Sequence, residues 1–185
     1  MNAIASKVSE NDRYLEYQKK VAGENINPQT LLATDYLNHF NEVHMLLDML
    51  SDMPDCIEDV QEWHPKSYQD HFRDSAFNAK DLAVEAYDHS PGEYRIPFEE
   101  MVQQMDDLVL DTISKVSKAI ENSDTVSLPR LVDDYRPRME KMIEDCGAII
   151  NGTKGSAHQE DIDSYFSEEI DESGLDQGAI DDLFG

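Results

Sequence analysis

Glycine is nearly absent from the middle of this 185-residue chain. Between Gly23 and Gly147 the only glycine is Gly92, whereas four of the eight glycines follow Asn151 and precede the last residue, Gly185. Glycine loses more backbone freedom on ordering than any other residue, so a long stretch almost without it favours helix, and its return marks a change to irregular chain. The sequence therefore predicts an ordered helical region that ends near Asn151.

The apolar residues of this region recur at intervals of three and four, which is the period of an α-helix. Four stripes result: Leu32, Tyr36, Phe40, Val43, Leu47 and Leu50; Tyr68, Phe72, Ala76, Ala79, Leu82, Ala83 and Ala86; Phe98, Val102, Met105, Val109, Ile113, Val116 and Ile120; Leu131, Tyr135, Met139, Met142, Cys146 and Ile149. Such stripes are typical of helices that bury one face against one another. We interpret them as core positions rather than as a cofactor site.

Turn-forming residues separate the stripes. Asn27 and Pro28 are a suitable cap and first residue for the first helix, which Pro54 ends. A short helix is predicted over Asp55–Trp63. The second long helix begins after Ser67, which stands in a capping-box pattern. The spacing therefore predicts four amphipathic helices of about 20 residues, joined by short connections.

These elements predict an all-α fold, an antiparallel four-helix bundle over residues 27–150. Residues 1–26 are a polar leader, in which the pattern is compatible with a helix over Ser9–Val21 outside the bundle. Residues 151–185 carry ten acidic residues and one basic residue, a net charge of −9, with few apolar groups. Such a segment buries too little apolar surface to offset its ordering entropy, so we expect a disordered acidic tail.

The charge of the whole chain excludes several classes of function. It carries 40 acidic and 15 basic residues, a net charge of −25. Binding to nucleic-acid phosphates needs a basic surface, and an anionic membrane would repel this protein for the same reason. We therefore expect protein partners rather than nucleic acid or membrane.

Localisation follows from features that the sequence lacks. No apolar run approaches the roughly 18–20 residues that span a bilayer, and residues 1–10 lack the apolar stretch of a signal peptide. Cys56 and Cys146 form no Cys-x-x-Cys pair, and buried, reduced thiols are the expectation for them. The sequence predicts a cytoplasmic protein.

The helical region offers little recognisable chemistry. No Glu-x-x-His pair of a di-iron bundle occurs, so neither a metal nor a cofactor is predicted. Two acid–amide pairs stand one helical turn apart, Glu99 with Gln103 and Glu100 with Gln104. Such a pair could orient an attacking water molecule, although both pairs are equally explained as the solvated face of their helix.

One concentrated patch of rings and charges runs from His64 to Arg73, directly after Trp63. Rigid aromatic side chains with arginine make good anchors for a protein partner. Packing of this connection against the bundle explains the same composition. Both interpretations stay open at the level of the sequence.

The tail contains one motif twice. Residues 159–166 and 177–184 share the pattern Q-x-x-I-D-x-[Y/L]-F at an offset of 18 residues. In each copy the apolar residues fall at i, i+3 and i+4, one face of a helix: Ile162, Tyr165 and Phe166, then Ile180, Leu183 and Phe184. A helix of two turns is too short to be stable alone, so the pattern is typical of a peptide that becomes helical in a partner's groove.

The final peptide, from Asp176 to Gly185, resembles the C-terminal peptide of CheZ-type chemotaxis phosphatases and the N-terminal peptide of the flagellar switch protein FliM. In both families the peptide captures the phosphorylated response regulator CheY. The resemblance implies two sets of regulator-contacting residues: Ile180, Asp181, Leu183 and Phe184, and in the first copy Ile162, Asp163, Tyr165 and Phe166.

The resemblance does not extend to the phosphatase's catalytic motif. The CheZ family carries a Phe-Gln-Asp…Gly-Gln motif, and the nearest string in this chain, Phe98 to Gln104, lacks the glycine and the order of groups. The sequence thus predicts a non-enzymatic adaptor that recruits a CheY-like regulator or a switch component, with a homodimer compatible. Two alternatives are a phosphatase of that regulator, acting through Glu99/Gln103 or Glu100/Gln104, and a structural bundle with a solubilising tail.

Overall fold

The chain was analysed as a computed structural model, which describes residues 2–124 and 126–153. The chain divides into one unit over Met1–Lys154 and a second over Gly155–Gly185, and every described residue belongs to the first unit. Across the described residues, regular structure consists of seven α-helices and two short 3-10 helices, without a strand. The prediction of an all-α fold is confirmed for this part of the chain.

The α-helices, labelled in chain order, are α1 (Asn2–Lys20), α2 (Asn38–Met49), α3 (Ile57–Glu62), α4 (Tyr68–Asp74), α5 (Lys80–Tyr87), α6 (Gly92–Glu121) and α7 (Ser127–Ile150). The 3-10 helices, Thr34–Leu37 and Pro54–Cys56, precede α2 and α3. The longest helices, α6 and α7, follow one another and make the most extensive helix–helix contact, and α2 packs against both. None of the helices in the described ranges is long and apolar enough to cross a membrane.

The predicted core positions of the first stripe are confirmed. All six of its residues, from Leu32 to Leu50, are fully buried. The stripe of α6 is buried at Phe98, Met105, Val109 and Val116. Helical spacing therefore identified the core even where the residues precede the helix itself.

The predicted start of the first long helix at Pro28 is wrong, because α2 begins only at Asn38. The side-chain oxygen of Asn27 accepts hydrogen bonds from the backbone N–H groups of Gln29 and Thr30. These bonds close a tight turn in which asparagine competes with the helical backbone for its own neighbours. Asn27 thus forms a turn rather than a helix cap.

The predicted continuous helix from Ser67 to Ala86 is two helices, α4 and α5. Ser67 does cap α4, since its hydroxyl oxygen accepts from the N–H of Asp70 at 3.1 Å. The break lies at Ser75, whose Oγ donates to the Phe72 carbonyl at 2.9 Å and accepts from the N–H of Phe77. A serine that binds its own backbone neighbours in this way ends a helix.

Helix α1 begins at Asn2 rather than at Ser9, and it contacts the other helices. The Tyr14 hydroxyl donates to the Gln29 carbonyl at 2.9 Å. The Tyr17 ring stacks on His89 with 4.5 Å between centroids. Val21, which follows the helix, is fully buried. The leader is therefore packed against the rest of the unit rather than lying apart from it.

Residues 27–33 link three distant parts of the chain. Thr30 Oγ1 donates to the carbonyl of Ile150, the last residue of α7, at 2.6 Å. The Thr30 carbonyl accepts from Ser90 Oγ at 2.7 Å, just before α6. Leu31 is fully buried with φ of 59°, a conformation that leucine seldom adopts. The surrounding bonds and burial hold this segment in a strained backbone conformation.

Replacing Thr30 with Val tests this link. The change removes the partner of the Ile150 carbonyl and of the Leu32 N–H, which donates to Thr30 Oγ1 at 3.2 Å. Because both groups stay buried, we expect the free energy of unfolding to fall by about 2 kcal/mol in urea titrations. Thr30→Ser keeps the hydroxyl and is expected to lose less than about 1 kcal/mol. Equal losses in the two variants would contradict this account.

Candidate functional site

The residues predicted to contact a partner lie outside the described residues. They are Ile162, Asp163, Tyr165, Phe166, Ile180, Asp181, Leu183 and Phe184. Their assignment therefore stays a prediction from the sequence. The described unit contains the other predicted residues, which lie on α6 and around α4.

The first acid–amide pair of α6 is engaged with other residues. Glu99 Oε1 accepts a hydrogen bond from the Tyr87 hydroxyl at 2.7 Å and lies 3.7 Å from Arg95 Nε. Gln103 Nε2 donates to Asp107 Oδ1 at 3.1 Å, one turn further along the helix. These contacts tie Glu99 to α5 and direct Gln103 along its own helix.

The second pair has no such partners. Glu100 is exposed and Gln104 is half-buried, one turn apart on α6. Neither side chain makes a hydrogen bond or an ion pair to another part of the described chain. Of the two predicted pairs, Glu100 and Gln104 are the one whose polar groups are available to a reactant.

The patch from His64 to Arg73 divides between core and surface. Tyr68 and Phe72 are buried, and the Tyr68 hydroxyl accepts from the N–H of Ala33 at 2.9 Å. The charged residues pair locally: Arg73 lies 2.6 Å from Asp70 and Lys66 lies 2.9 Å from Asp74. The buried rings agree with the packing interpretation of this patch.

Tyr36 is the centre of the aromatic core. Its hydroxyl donates to the Lys66 carbonyl at 2.8 Å, and burial raises its pKa well above the ordinary value. Five rings lie with their centroids 5.4 to 6.5 Å from that of Tyr36: His39, Phe40, Tyr68, His71 and Phe98. These rings come from α2, α4 and α6, so the cluster joins three helices around one side chain.

His39 is a buried imidazole that is neutral at pH 7. Burial lowers its pKa to about 4, and its Nε2 has no hydrogen-bond partner. The ring stacks on Trp63 with 4.9 Å between centroids, and Trp63 Nε1 donates to the His39 carbonyl at 3.2 Å. Because the unfolded state binds a proton more readily, His39 lowers stability as the pH falls from about 6.5 to about 4.

Asp106 is a buried carboxyl group on α6. Its side-chain Oδ1 has no hydrogen-bond partner, and burial, followed by the charge of Asp107, raises its pKa to about 7. Ionised carboxylates without a partner are costly to bury, so this group titrates near neutral pH instead. A shift of this kind is frequent at functional sites, although structural positions also show it.

Two surface grooves lie on either side of the aromatic core. One, of about 450 Å³, is lined by residues that include Asp35, His71 and Ser75. Ser75 donates its hydroxyl proton to the Phe72 carbonyl, so it is not arranged as a nucleophile activated by His71. The other groove, of about 390 Å³, lies between α2 and α3 and is lined by His39, Leu46 and Trp63 among others.

Neither groove is a metal centre. Within residues 2–124 and 126–153, no three His, Cys, Asp or Glu side chains are placed so that they could hold a metal ion. Both cysteines are free; Cys146 is buried, which raises its pKa to about 12, whereas Cys56 is half-exposed rather than buried as expected. What the arrangement offers is surface for binding rather than a set of reactive groups.

The sequence did not single out His39, Leu46, Trp63 or Asp106. A usable signal existed for the first three, because no Lys or Arg occurs from Val21 to Pro65. A run of that length without cations indicates an unusual surface. For Asp106 no signal existed, since an acidic residue one position from a core methionine is ordinary in an amphipathic helix.

No protein-family model, no curated protein and no solved structure matches this chain. Its function is therefore argued from its own residues and contacts.

Replacing Asp106 with Asn tests the buried carboxyl group. The folded-state pKa is raised, so the native state holds a proton that the unfolded state releases, and wild-type stability falls as the pH rises from about 4 to about 7. Asp106→Asn removes that loss, and we expect it to stabilise the protein by roughly 2–4 kcal/mol at pH 8 and by much less at pH 5. Urea unfolding at both pH values measures the effect.

The matched control is Asp107→Asn, which changes the exposed neighbouring residue. It should alter the free energy of unfolding by less than about 0.5 kcal/mol at either pH. A gain that is the same at pH 5 and pH 8 for Asp106→Asn would show that this carboxyl group does not titrate between them.

Proposed function

We propose that this protein is a cytoplasmic adaptor of bacterial chemotaxis or flagellar signalling, which binds a CheY-like response regulator or a switch component through its C-terminal peptides. The observation that carries the proposal is the repeat Q-x-x-I-D-x-[Y/L]-F, present at residues 159–166 and 177–184. Two copies in the same helical phase are what a chain needs to present the same apolar face twice.

The chemistry of the repeat fits recognition by a groove. In the second copy Ile180, Leu183 and Phe184 supply apolar side chains at i, i+3 and i+4, and Asp181 lies between them. Apolar anchors with this spacing are how short amphipathic helices bind a hydrophobic groove. The surrounding acidic residues favour a partner whose groove has a basic rim, since opposite charges accelerate encounter.

Two copies on one chain change the affinity that a partner experiences. Once one peptide is bound, the other is held at a high effective concentration, so a partner with two sites or two copies binds more tightly than one peptide allows. A weak peptide can therefore act in a selective interaction. This is the advantage that a repeated motif gives an adaptor over a single one.

The helical unit completes the proposal as the structured body of the adaptor. In it, α2, the pair α4 and α5, α6 and α7 supply the four helices of an antiparallel bundle, and a homodimer of such bundles would double the number of peptides. The contacts of α2 with α6 and α7 favour this arrangement.

Titration of a synthetic Ser173–Gly185 peptide into phosphorylated and unphosphorylated CheY-like proteins tests the proposal. We expect saturable binding, stronger to the phosphorylated form, by fluorescence anisotropy. The same peptide with Leu183→Ala and Phe184→Ala keeps its length and charge and should bind at least about tenfold more weakly, because it loses two apolar anchors.

Equal binding of the two peptides would contradict the proposal, as would the absence of binding to every regulator in a representative panel. Deletion of residues 151–185 from the full chain distinguishes the third interpretation. If the tail only provides solubility, this deletion leaves all partner interactions intact.

A phosphatase of the same regulator is the second candidate, and the availability of Glu100 and Gln104 favours it. An acid and an amide one turn apart on an exposed helical face could orient water toward an aspartyl phosphate. We expect Gln104→Ala to slow regulator dephosphorylation at least about tenfold, consistent with loss of one orienting group. Gln103→Ala is the matched control, because Gln103 already donates to Asp107. Unchanged dephosphorylation in both variants would exclude this candidate.

A further inference from the structure

The α2–α3 region has an acidic surface without cations of its own. From Val21 to Pro65 the chain contains nine acidic residues and no Lys or Arg. Basic residues from elsewhere reach this region at two points, where Arg136 pairs with Asp48 at 2.9 Å and where Lys66, which pairs with Asp74, lines one end of the groove. The remaining acidic side chains of α2 and α3 face solvent.

The groove between α2 and α3 combines this charge with an apolar floor. Leu46, Trp63 and the His39 ring form its floor, within a volume of about 390 Å³. Glu42, Asp59 and Glu62 line its edges; all three are exposed. None of these three carboxylates has an ion-pair partner in the described part of the chain. The groove is thus apolar within and negatively charged around its rim.

Exposed methionines extend the apolar surface beside the groove. Met45, Met49 and Met53 are spaced by four residues and are 62%, 40% and 45% exposed. Met45 and Met49 lie one turn from Glu42 and Leu46 on the same helix, so they continue the groove onto the outer face of α2. Methionine is flexible and polarisable, which suits a surface that adapts to a bound helix.

We propose that the α2–α3 groove binds a basic amphipathic helix of a partner protein. Apolar side chains of that helix pack on Leu46, Trp63 and the methionines, while its Lys or Arg residues face Glu42, Asp59 and Glu62. Charge complementarity selects this occupant: a second copy of this acidic chain, or an acidic helix, would bring like charges to the rim. The site is independent of the C-terminal peptides, so it gives the adaptor a second partner.

Trp63 makes the proposal directly measurable. It is the only tryptophan in the chain, and it lies in the floor of the groove, so its emission reports on that place alone. The probe is an 18-residue helical peptide of Leu and Lys, with Leu at i, i+3, i+4 and i+7 and without tryptophan. We expect saturable binding to the full chain with a shift of the Trp63 emission maximum to shorter wavelength.

Two further peptides separate shape from charge. One replaces every Lys of the probe with Glu, and the other keeps the composition but scatters the Leu residues around the helix. We expect no emission shift with either peptide. A shift of equal size with the scattered peptide would overturn the proposal, because attraction to acidic charge alone would then explain the binding.

Variants of the protein localise the site. Glu42→Gln, Asp59→Asn and Glu62→Gln together should weaken probe binding about tenfold or more, since they remove the rim charge with little change of volume. Asp12→Asn, Asp81→Asn and Glu121→Gln remove the same charge from α1, α5 and α6, and this control should change the dissociation constant less than twofold. Equal effects of the two sets would overturn the assignment.

Leu46→Ala supplies a test that does not depend on charge. It removes part of the apolar floor and should also weaken binding about tenfold, while circular dichroism confirms that helix content is kept. Binding that is unchanged by Leu46→Ala, or an emission maximum that does not move at saturation, would show that the probe does not occupy this groove.

Discussion

The hydrogen bonds of Thr30 are the constraint on which the rest of this helical unit depends. Through its hydroxyl and its carbonyl, one buried residue fixes the end of α7 and the turn before α6. Helices pack well with one another at several orientations, because apolar contact has no direction of its own. Buried hydrogen bonds do have direction, so Thr30 selects one arrangement of the helix ends and stabilises the unfavourable backbone angle of Leu31.

Apolar spacing predicted what is buried better than it predicted where helices begin. Leu32 and Tyr36 are core residues as expected, yet both precede α2. Burial depends on a period summed over many residues, whereas a helix end depends on single hydrogen bonds such as those of Asn27 and Ser75. Either residue could cap, interrupt or continue a helix, and only the folded neighbours determine which occurs.

The candidate sites show the same limit. The sequence placed Glu99 and Gln103 on one helical face, but it could not show that Tyr87 and Asp107 engage them. It gave no indication that Asp106 is buried. The α2–α3 groove joins residues from separate helices, and periodicity within one helix carries no information about such a pair. The repeated tail motif, by contrast, is fully visible in the sequence because its recognition is local.

The link between Thr30 and Ile150 also orders events during synthesis. The two residues are 120 positions apart, so the bond forms only after nearly the whole helical unit has left the ribosome. The neighbouring helices α6 and α7 can form their contact locally and early, whereas residues 27–33 have to wait. Until that moment the apolar residues from Leu31 to Leu50 lack their final partners, so the nascent N-terminal third is the part of this chain with most to gain from a chaperone.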